Sequence, residues 1–465
     1  MNRTKRLIRN TFVFGIGNIG SKLIQFIAVP MLTLYLTTKQ YGQMDLITTI
    51  VSLSLPFFSL CLYDAILRFV IDDPRSEVNI ISTASFITGV MIVLLFFVLV
   101  ALLPFNFENI SLYRLGIVFL ILQIIESLLA QYLKALDKNW AYAMNGLILS
   151  GLILFLAYVM FQIMNNRIHA YFVAQIVSYL GSIIFISCNL KGHPIFRIDA
   201  IQQKWMKKLT KYSLPLIPNQ IMWWVMNTSD RLLVTLFLGL TTNGLYAVAT
   251  KIPSLTNVVV TIFMQSWQLS SFENADKEDK STFFSEVFNN LVFFLVLFSS
   301  IVLSFLMVIM NSIVSRDYFG AWIYVPMLLL GGLFSNISMF LGTNYLVGKS
   351  TNGIFRTSIM GAALNIGLNL LLIPLCGANG ASFSTLVSYF VVCVIRFIET
   401  RRTVTISIDY PLFISATVVL VMQTLILYWG PSYLEFVCLA GLAIFNHRYL
   451  TNMIGLVKKI VKNRE

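Results

Sequence analysis

The chain has 465 residues, of which 57% are hydrophobic and only 11% charged, and it carries a net charge of +13. A water-soluble domain would have about a quarter of its residues charged, so this composition excludes one. The basic residues are dispersed between apolar runs and form no groove-reading motif, which excludes nucleic acid as a partner.

Apolar runs long enough to cross a hydrocarbon core of about 30 Å recur from end to end. In chain order, fourteen spans are predicted: Thr11–Leu36, Leu46–Val70, Ile80–Leu103, Tyr113–Ala135, Trp140–Met164, His169–Leu190 and Tyr212–Leu238, then Asn243–Leu269, Val287–Met310, Trp322–Val347, Ile354–Leu375, Ala378–Ile398, Pro411–Trp429 and Leu434–Leu450. The first apolar run lacks a small-residue cleavage site, so it is expected to remain as a span and not to be removed as a signal peptide. With a cytoplasmic amino terminus, about 26 basic residues fall on that side and about 4 (Lys39, Arg114, Arg167 and Arg316) on the other. This positive-inside bias places both termini in the cytoplasm.

The expected fold is an all-α polytopic membrane protein with about fourteen transmembrane helices. Its domains read as an N-terminal six-helix lobe at 1–190, a basic cytoplasmic linker at 191–211, a C-terminal six-helix lobe at 212–402, and two additional helices with a basic tail at 403–465. An internal repeat supports two parallel lobes. LysArgLeuIleArg at Lys5 echoes LysLysLeuThrLys at Lys207, LeuThrThr at Leu36 recurs at Leu240, and GlnTyrLeu at Gln131 echoes AsnTyrLeu at Asn344. The offsets, about 202 to 213 residues, agree with one duplicated unit. The five cysteines, Cys61, Cys188, Cys376, Cys393 and Cys438, occur singly, without CxxC spacing, and read as small core residues.

Charged side chains inside spans are costly and usually face a cavity or a partner. In the first span Asn18, Lys22 and Gln25 fall at i, i+4 and i+7, on one helix face. Lys22 lies about 16 Å from one end of that span and about 21 Å from the other, too deep to snorkel easily. It reads as a cationic cavity wall; the alternative is a lysine neutralised by a neighbour's carboxylate. In the seventh span Asn219, Trp223, Asn227 and Asp230 follow one stripe with Arg231 beside it, and in the eighth Lys251, Ser254, Thr261, Gln265 and Gln268 follow another. Arg231 and Lys251 sit at similar depth, as a shared anion site would need; pairing of Asp230 with Arg231 or Lys251 is the structural alternative.

Asp64 and Arg68 lie at i, i+4 in the second span, and Gln123, Glu126 and Lys134 share a stripe of the fourth. Glu126, near mid-span, is the first candidate for ion coupling, with Asp230 and Asp64 behind it. Coupling to H+ or Na+ is expected, without any cofactor or metal centre. Pro215 and Pro218 are expected to bend the seventh span early. GlyIleGlyAsnIleGly at Gly15–Gly20 matches GxGxxG, yet no strand precedes it, so its glycines are read as permitting close helix contact.

GlyIleGlyAsnIleGlySerLysLeuIleGlnPheIle from Gly15, ThrLysGlnTyrGly at Thr38, AsnThrSerAspArg at Asn227–Arg231 and GlyLeuTyrAlaValAlaThrLysIlePro at Gly244–Pro253 together carry a family likeness. LeuAsnIleGlyLeuAsnLeuLeuLeuIlePro at Leu364–Pro374 and GlyAlaAsnGlyAlaSer at Gly377–Ser382 extend it. On these segments the chain resembles the Wzx-type polysaccharide-repeat flippases of the superfamily that also holds MATE exporters and lipid II flippases. The resemblance implies a V-shaped pair of lobes and alternating access, with undecaprenyl-pyrophosphate-linked oligosaccharide as cargo for surface polysaccharide (O-antigen, capsule or exopolysaccharide). It places the chain in the bacterial cytoplasmic membrane, with the bilayer and polysaccharide polymerase machinery as partners. Lys22, Arg231 and Lys251 match positions of cavity cations in such flippases, and Asn18, Gln25, Asn227 and Gln265 would hydrogen-bond sugar hydroxyls. The rivals are a MATE-like drug or cation exporter and, from another class, a membrane polymerase or glycosyltransferase. The first would want a net acidic cavity; the second would want a large external loop with carboxylates or histidines, and His169 is the only external histidine.

Overall fold

A computed structural model describes residues 3–105, 109–273, 279–348, 352–401, 403–431, 433–452 and 455. Its helices in chain order are α1 (Arg3–Tyr35), α2 (Thr38–Ser59), α3 (Leu62–Asp72), α4 (Glu77–Ala101), α5 (Ile110–Ala135), α6 (Asn139–Ile163), α7 (Arg167–Asn189), α8 (Gln203–Ser213) and α9 (Leu216–Ala249). They continue with α10 (Lys251–Glu273), α11 (Lys280–Ser304), α12 (Leu306–Ile313), α13 (Val325–Val347), α14 (Asn352–Cys376), α15 (Ala378–Thr400), α16 (Tyr410–Trp429) and α17 (Tyr433–Phe445). No strand occurs among the described residues.

All fourteen predicted spans fall on helices. Ten helical stretches of the described residues are long and apolar enough to cross a bilayer, or up to 11 when the bent pair α2–α3 counts as one span. One of those ten, Gln203–Met264, holds α8, α9 and most of α10, so the number of stretches is smaller than the number of helices. Large apolar side chains such as Ile27, Leu34, Phe97, Leu236, Leu375 and Phe445 are exposed, a surface compatible with lipid and not with water. The chain is a multi-pass membrane protein.

Three boundaries differ from the sequence expectation. The second span is two helices, bent by 46°. Leu60 and Cys61 both adopt the left-handed conformation at the break, which costs an L-residue roughly 1–2 kcal/mol. The break is tolerated because its polar groups are satisfied inside the protein: the Cys61 N–H donates to Ser59 Oγ and the Asp64 N–H to Cys61 O. The eighth predicted span is also divided. Gly239, with φ 84°, interrupts α9, and a turn at Thr250 separates α9 from α10. Pro215 lies between α8 and α9, and Pro218 stands in the first turn of α9. There a proline loses nothing, and the bend expected early in the seventh span is a break between two helices.

Contacts divide the chain into two compact units, Met1–Ala247 and Val248–Glu465. In the first, Gly17 and Gly20 of α1 lie so close to Ala143 and Leu147 of α6 that added Cβ atoms would stand 2.8 and 2.4 Å from them. This is the close contact that the glycine motif was expected to permit, and it suits helices that gain nothing from hydrophobicity in lipid. The linker 191–211 is not a bare loop: it carries α8, whose Trp205 and Leu209 are buried in a core with Ile66, Val70, Ile81 and Tyr132. Phe69 meets Trp205 edge-on at 5.8 Å, and the Lys208 ammonium lies 4.7 Å from the centre of the Trp205 ring. In the second unit Trp267 of α10 stacks on Phe340 of α13 at 4.6 Å and donates its indole N–H to Thr343. Arg396 of α15 is buried. Its guanidinium donates to Thr357 Oγ1, Ser358 Oγ and the Ser338 carbonyl, tying together α13, α14 and α15.

Candidate functional site

The α1 sequence separates small residues from polar ones around the helix. With Gly17 and Gly20 against α6, Asn18, Lys22 and Gln25 are left together on an exposed face. Lys22 Nζ donates to Gln25 Oε1 at 3.5 Å. Among the described residues no carboxylate pairs with Lys22. Its charge at membrane depth is therefore left for water or an anion.

Beside this face lies a cavity of about 310 Å³, lined among others by Asn18, Tyr63, Glu126, Gln131, Tyr142 and Asn145. Leu55 and Tyr63, on either side of the α2–α3 break, both line it, so the bend opens onto polar space. Glu126 accepts a hydrogen bond from Asn145 Nδ2 at 2.7 Å, and Ser182 Oγ donates to Asn145 Oδ1 at 2.8 Å. The buried Ser182 orients Asn145, which presents its donor to the carboxylate. Asp64 lies within electrostatic reach of Lys134, and Lys134 is 5.4 Å from the centre of the Tyr142 ring. Arg68 pairs with Asp72 at an exposed helix end, not with Asp64.

Arg231 is placed differently. Its guanidinium donates to Asp45 Oδ1 at 2.9 Å, and Asp45 is 3% exposed. Asn243 Nδ2 donates both to Asp45 Oδ2 and to the Gly42 carbonyl. Asp230 accepts from the Tyr246 hydroxyl at 2.5 Å and from the Arg231 backbone N–H at 3.0 Å. The backbones of α2 and α9 touch here: a Cβ on Gly42 would sit 1.8 Å from Leu240 O, and one on Gly244 would sit 2.0 Å from Thr38 O. The contacts are reciprocal, 42 with 240 and 38 with 244, and their separations of 198 and 206 residues bracket the offset of about 202 between the two halves of the internal repeat.

Asp45 was missed from the sequence because the second span was begun at Leu46. The signal was present: Thr37 and Gln40 form a capping box, each side chain bonding the other's backbone N–H, and this starts α2 at Thr38, two turns before Asp45. Of the remaining candidates, Asn227 is exposed and donates to the Trp223 carbonyl. Lys251 is half-buried at the start of α10 in the second unit, and its carbonyl accepts from Ser254 Oγ. The Gln265 side chain lies outside the described residues. Among the described residues no group of three or more His, Cys, Asp or Glu gathers as a metal site, and all five cysteines are free.

The family described as polysaccharide biosynthesis protein matches residues 7–267, more than half of the chain. The chain belongs to that family. A search of curated proteins found no match. Among solved structures, the lipid II flippase MurJ in an inward closed conformation is similar over 97% of this chain and 99% of its own, with a TM-score of 0.57 and 12% identity. A multidrug resistance MATE transporter of the MOP superfamily, inward-facing, has a TM-score of 0.64 and 12% identity over 84% of this chain and 94% of its own. A mutant of the Vibrio cholerae MATE transporter VcmN has a TM-score of 0.60 and 12% identity over 86% and 96%. At these identities the likeness is one of fold, which the chain shares with these MATE transporters and with MurJ.

Proposed function

We propose that this protein translocates lipid-linked oligosaccharide, with undecaprenyl pyrophosphate as the carrier, across the cytoplasmic membrane for surface polysaccharide synthesis. The observation that carries this reading is the exposed Asn18–Lys22–Gln25 face, an ammonium that no carboxylate among the described residues neutralises. A pyrophosphate crossing the core needs fixed positive charge in a shielded, polar place, while its lipid tail stays in the bilayer. The family match and the fold of a lipid II flippase over nearly the whole chain support a carrier-lipid cargo.

In this reading Lys22 meets the pyrophosphate, and Asn18 and Gln25 meet sugar hydroxyls. Lys251, Asn227 and Gln265 supply further contacts as access alternates between the two sides. Arg231 instead holds α9 on α2 through Asp45, so of the three cations read together from the sequence Lys22 and Lys251 bind and Arg231 fastens. Glu126, held by Asn145 inside a polar cavity, is the proposed coupling group for H+ or Na+. Both termini face the cytoplasm, and no covalent chemistry is assigned.

Deletion of the gene followed by mass analysis of the lipid fraction tests the reading. A complete lipid-linked repeat unit should accumulate and surface polymer should vanish. Intact polymer together with new sensitivity to cationic drugs would replace the reading with a MATE-like exporter.

A further inference from the structure

The four lysines of α8 stand on one side of it. Lys204, Lys207, Lys208 and Lys211 fall within about 100° of arc on a helix of 3.6 residues per turn, and all four are exposed. The other side of the helix, with Trp205 and Leu209, is buried in the core formed with α3, α4 and α5. Acidic side chains close by are engaged elsewhere: Glu77 accepts from the Tyr132 hydroxyl and lies 2.8 Å from His193 Nδ1, and Asp199 pairs with Arg197. Among the described residues no carboxylate pairs with the lysines of α8.

The depth of this segment follows from α4. From Phe86 to Leu103 the chain is apolar but for Thr88, and those 18 residues span about 27 Å, close to the thickness of a hydrocarbon core. The turns of α4 before Phe86 are rich in polar residues, and the connection leading to α8 is bonded to them. The Arg197 N–H donates to Ser82 Oγ, the Gln202 N–H to Thr83 Oγ1, and Ser85 Oγ to the Ile195 carbonyl. Only Leu214 and Pro215 separate α8 from α9. The segment therefore runs alongside its own helices at headgroup level instead of hanging into water. At that level Phe196 and Ile198 are 48% and 77% exposed, two large apolar side chains in an otherwise polar connection.

A connection that only oriented the chain in the membrane would need positive charge and no particular shape. Here a helix anchored through one side holds its charges on the other, with apolar side chains beside them. Such a surface suits an anionic bilayer, the charges meeting headgroups and the apolar groups meeting the acyl boundary. We propose that the segment from Lys191 to Leu214 lies in the plane of the membrane surface and that the lysine face of α8 binds the anionic phospholipid of that leaflet. Nothing in it depends on the cargo assigned above.

The test titrates phosphatidylglycerol into the purified full-length protein in detergent and counts bound lipids by native mass spectrometry, with phosphatidylcholine as the uncharged comparison. Phosphatidylglycerol carrying a photoreactive headgroup then maps the contact in reconstituted vesicles. The wild type should retain phosphatidylglycerol in preference to phosphatidylcholine, with crosslinks concentrated between Lys191 and Leu214. Lys207→Gln with Lys211→Gln should weaken phosphatidylglycerol binding about thirtyfold, from about fivefold for each lysine, and leave phosphatidylcholine binding unchanged. Arg401→Gln with Arg448→Gln removes two exposed cations of the second unit and should change neither. Equal losses in the two double variants, or crosslinks outside the segment, would overturn the proposal. So would equal retention of the two lipids by the wild type, which would leave the lysine face to an acidic protein. The wild-type crosslinks decide the matter even if a variant fails to fold.

Discussion

Lys22 and Arg231 are both cations at membrane depth, but the protein treats them in opposite ways. Arg231 has a buried carboxylate partner and belongs to a close-packed junction of two helices. Lys22 stands on an exposed face, donates to Gln25, and among the described residues pairs with no carboxylate. A buried pair is a fixture, because removing one member strands the other; an exposed, unneutralised cation is available to a ligand. Depth alone therefore does not mark a binding residue. What marks it is the absence of an internal counter-charge.

Stability and transport should separate accordingly. The largest loss of stability is expected for Arg231→Ala, about 3–5 kcal/mol, because Asp45 is left buried and unpaired. The double change Asp45→Asn with Arg231→Gln should recover most of it in thermal denaturation. If the double variant melts as low as Arg231→Ala, the pair is not what fastens α9 to α2. Next comes Gly42→Ala, whose methyl group meets the Leu240 carbonyl. A cost of about 1–3 kcal/mol is expected, and a normal melting curve would mean that the two backbones are not so close. Asn145→Leu should cost about 1–3 kcal/mol, since Glu126 loses its donor. Glu126→Gln can still accept that bond, so it should melt near the wild type while losing the response of transport to the coupling ion. The smallest change is expected for Lys22→Ala, within about 0.5 kcal/mol, as for a surface site. That variant should keep its stability and lose export.

The helices were legible in the sequence because a bilayer admits few alternatives, and each run long enough to span became helical. The break at Leu60–Cys61 was not legible, since neither residue type announces a left-handed conformation and its support comes from Ser59 and from burial. The polar face of α1 could be read from spacing alone, because one helix fixes which residues share a side. The partner of Arg231 could not: Asp45 lies 186 residues away in sequence, and only the packing of α2 on α9 brings the two together. Glu126 was visible as a charge in mid-span, whereas Asn145 and Ser182, which hold it, looked like ordinary small polar residues on other helices.

The most direct test of the central claim is transport itself. Protein reconstituted in vesicles would be given lipid-linked oligosaccharide in one leaflet, and the appearance of glycan in the other would be followed with a membrane-impermeant labelling reagent. Wild type and the Asp45→Asn, Arg231→Gln double variant should both move the glycan, and Lys22→Ala should be slower by at least about tenfold, a loss of about 1.4 kcal/mol or more. Transport by Lys22→Ala at the wild-type rate would contradict the account.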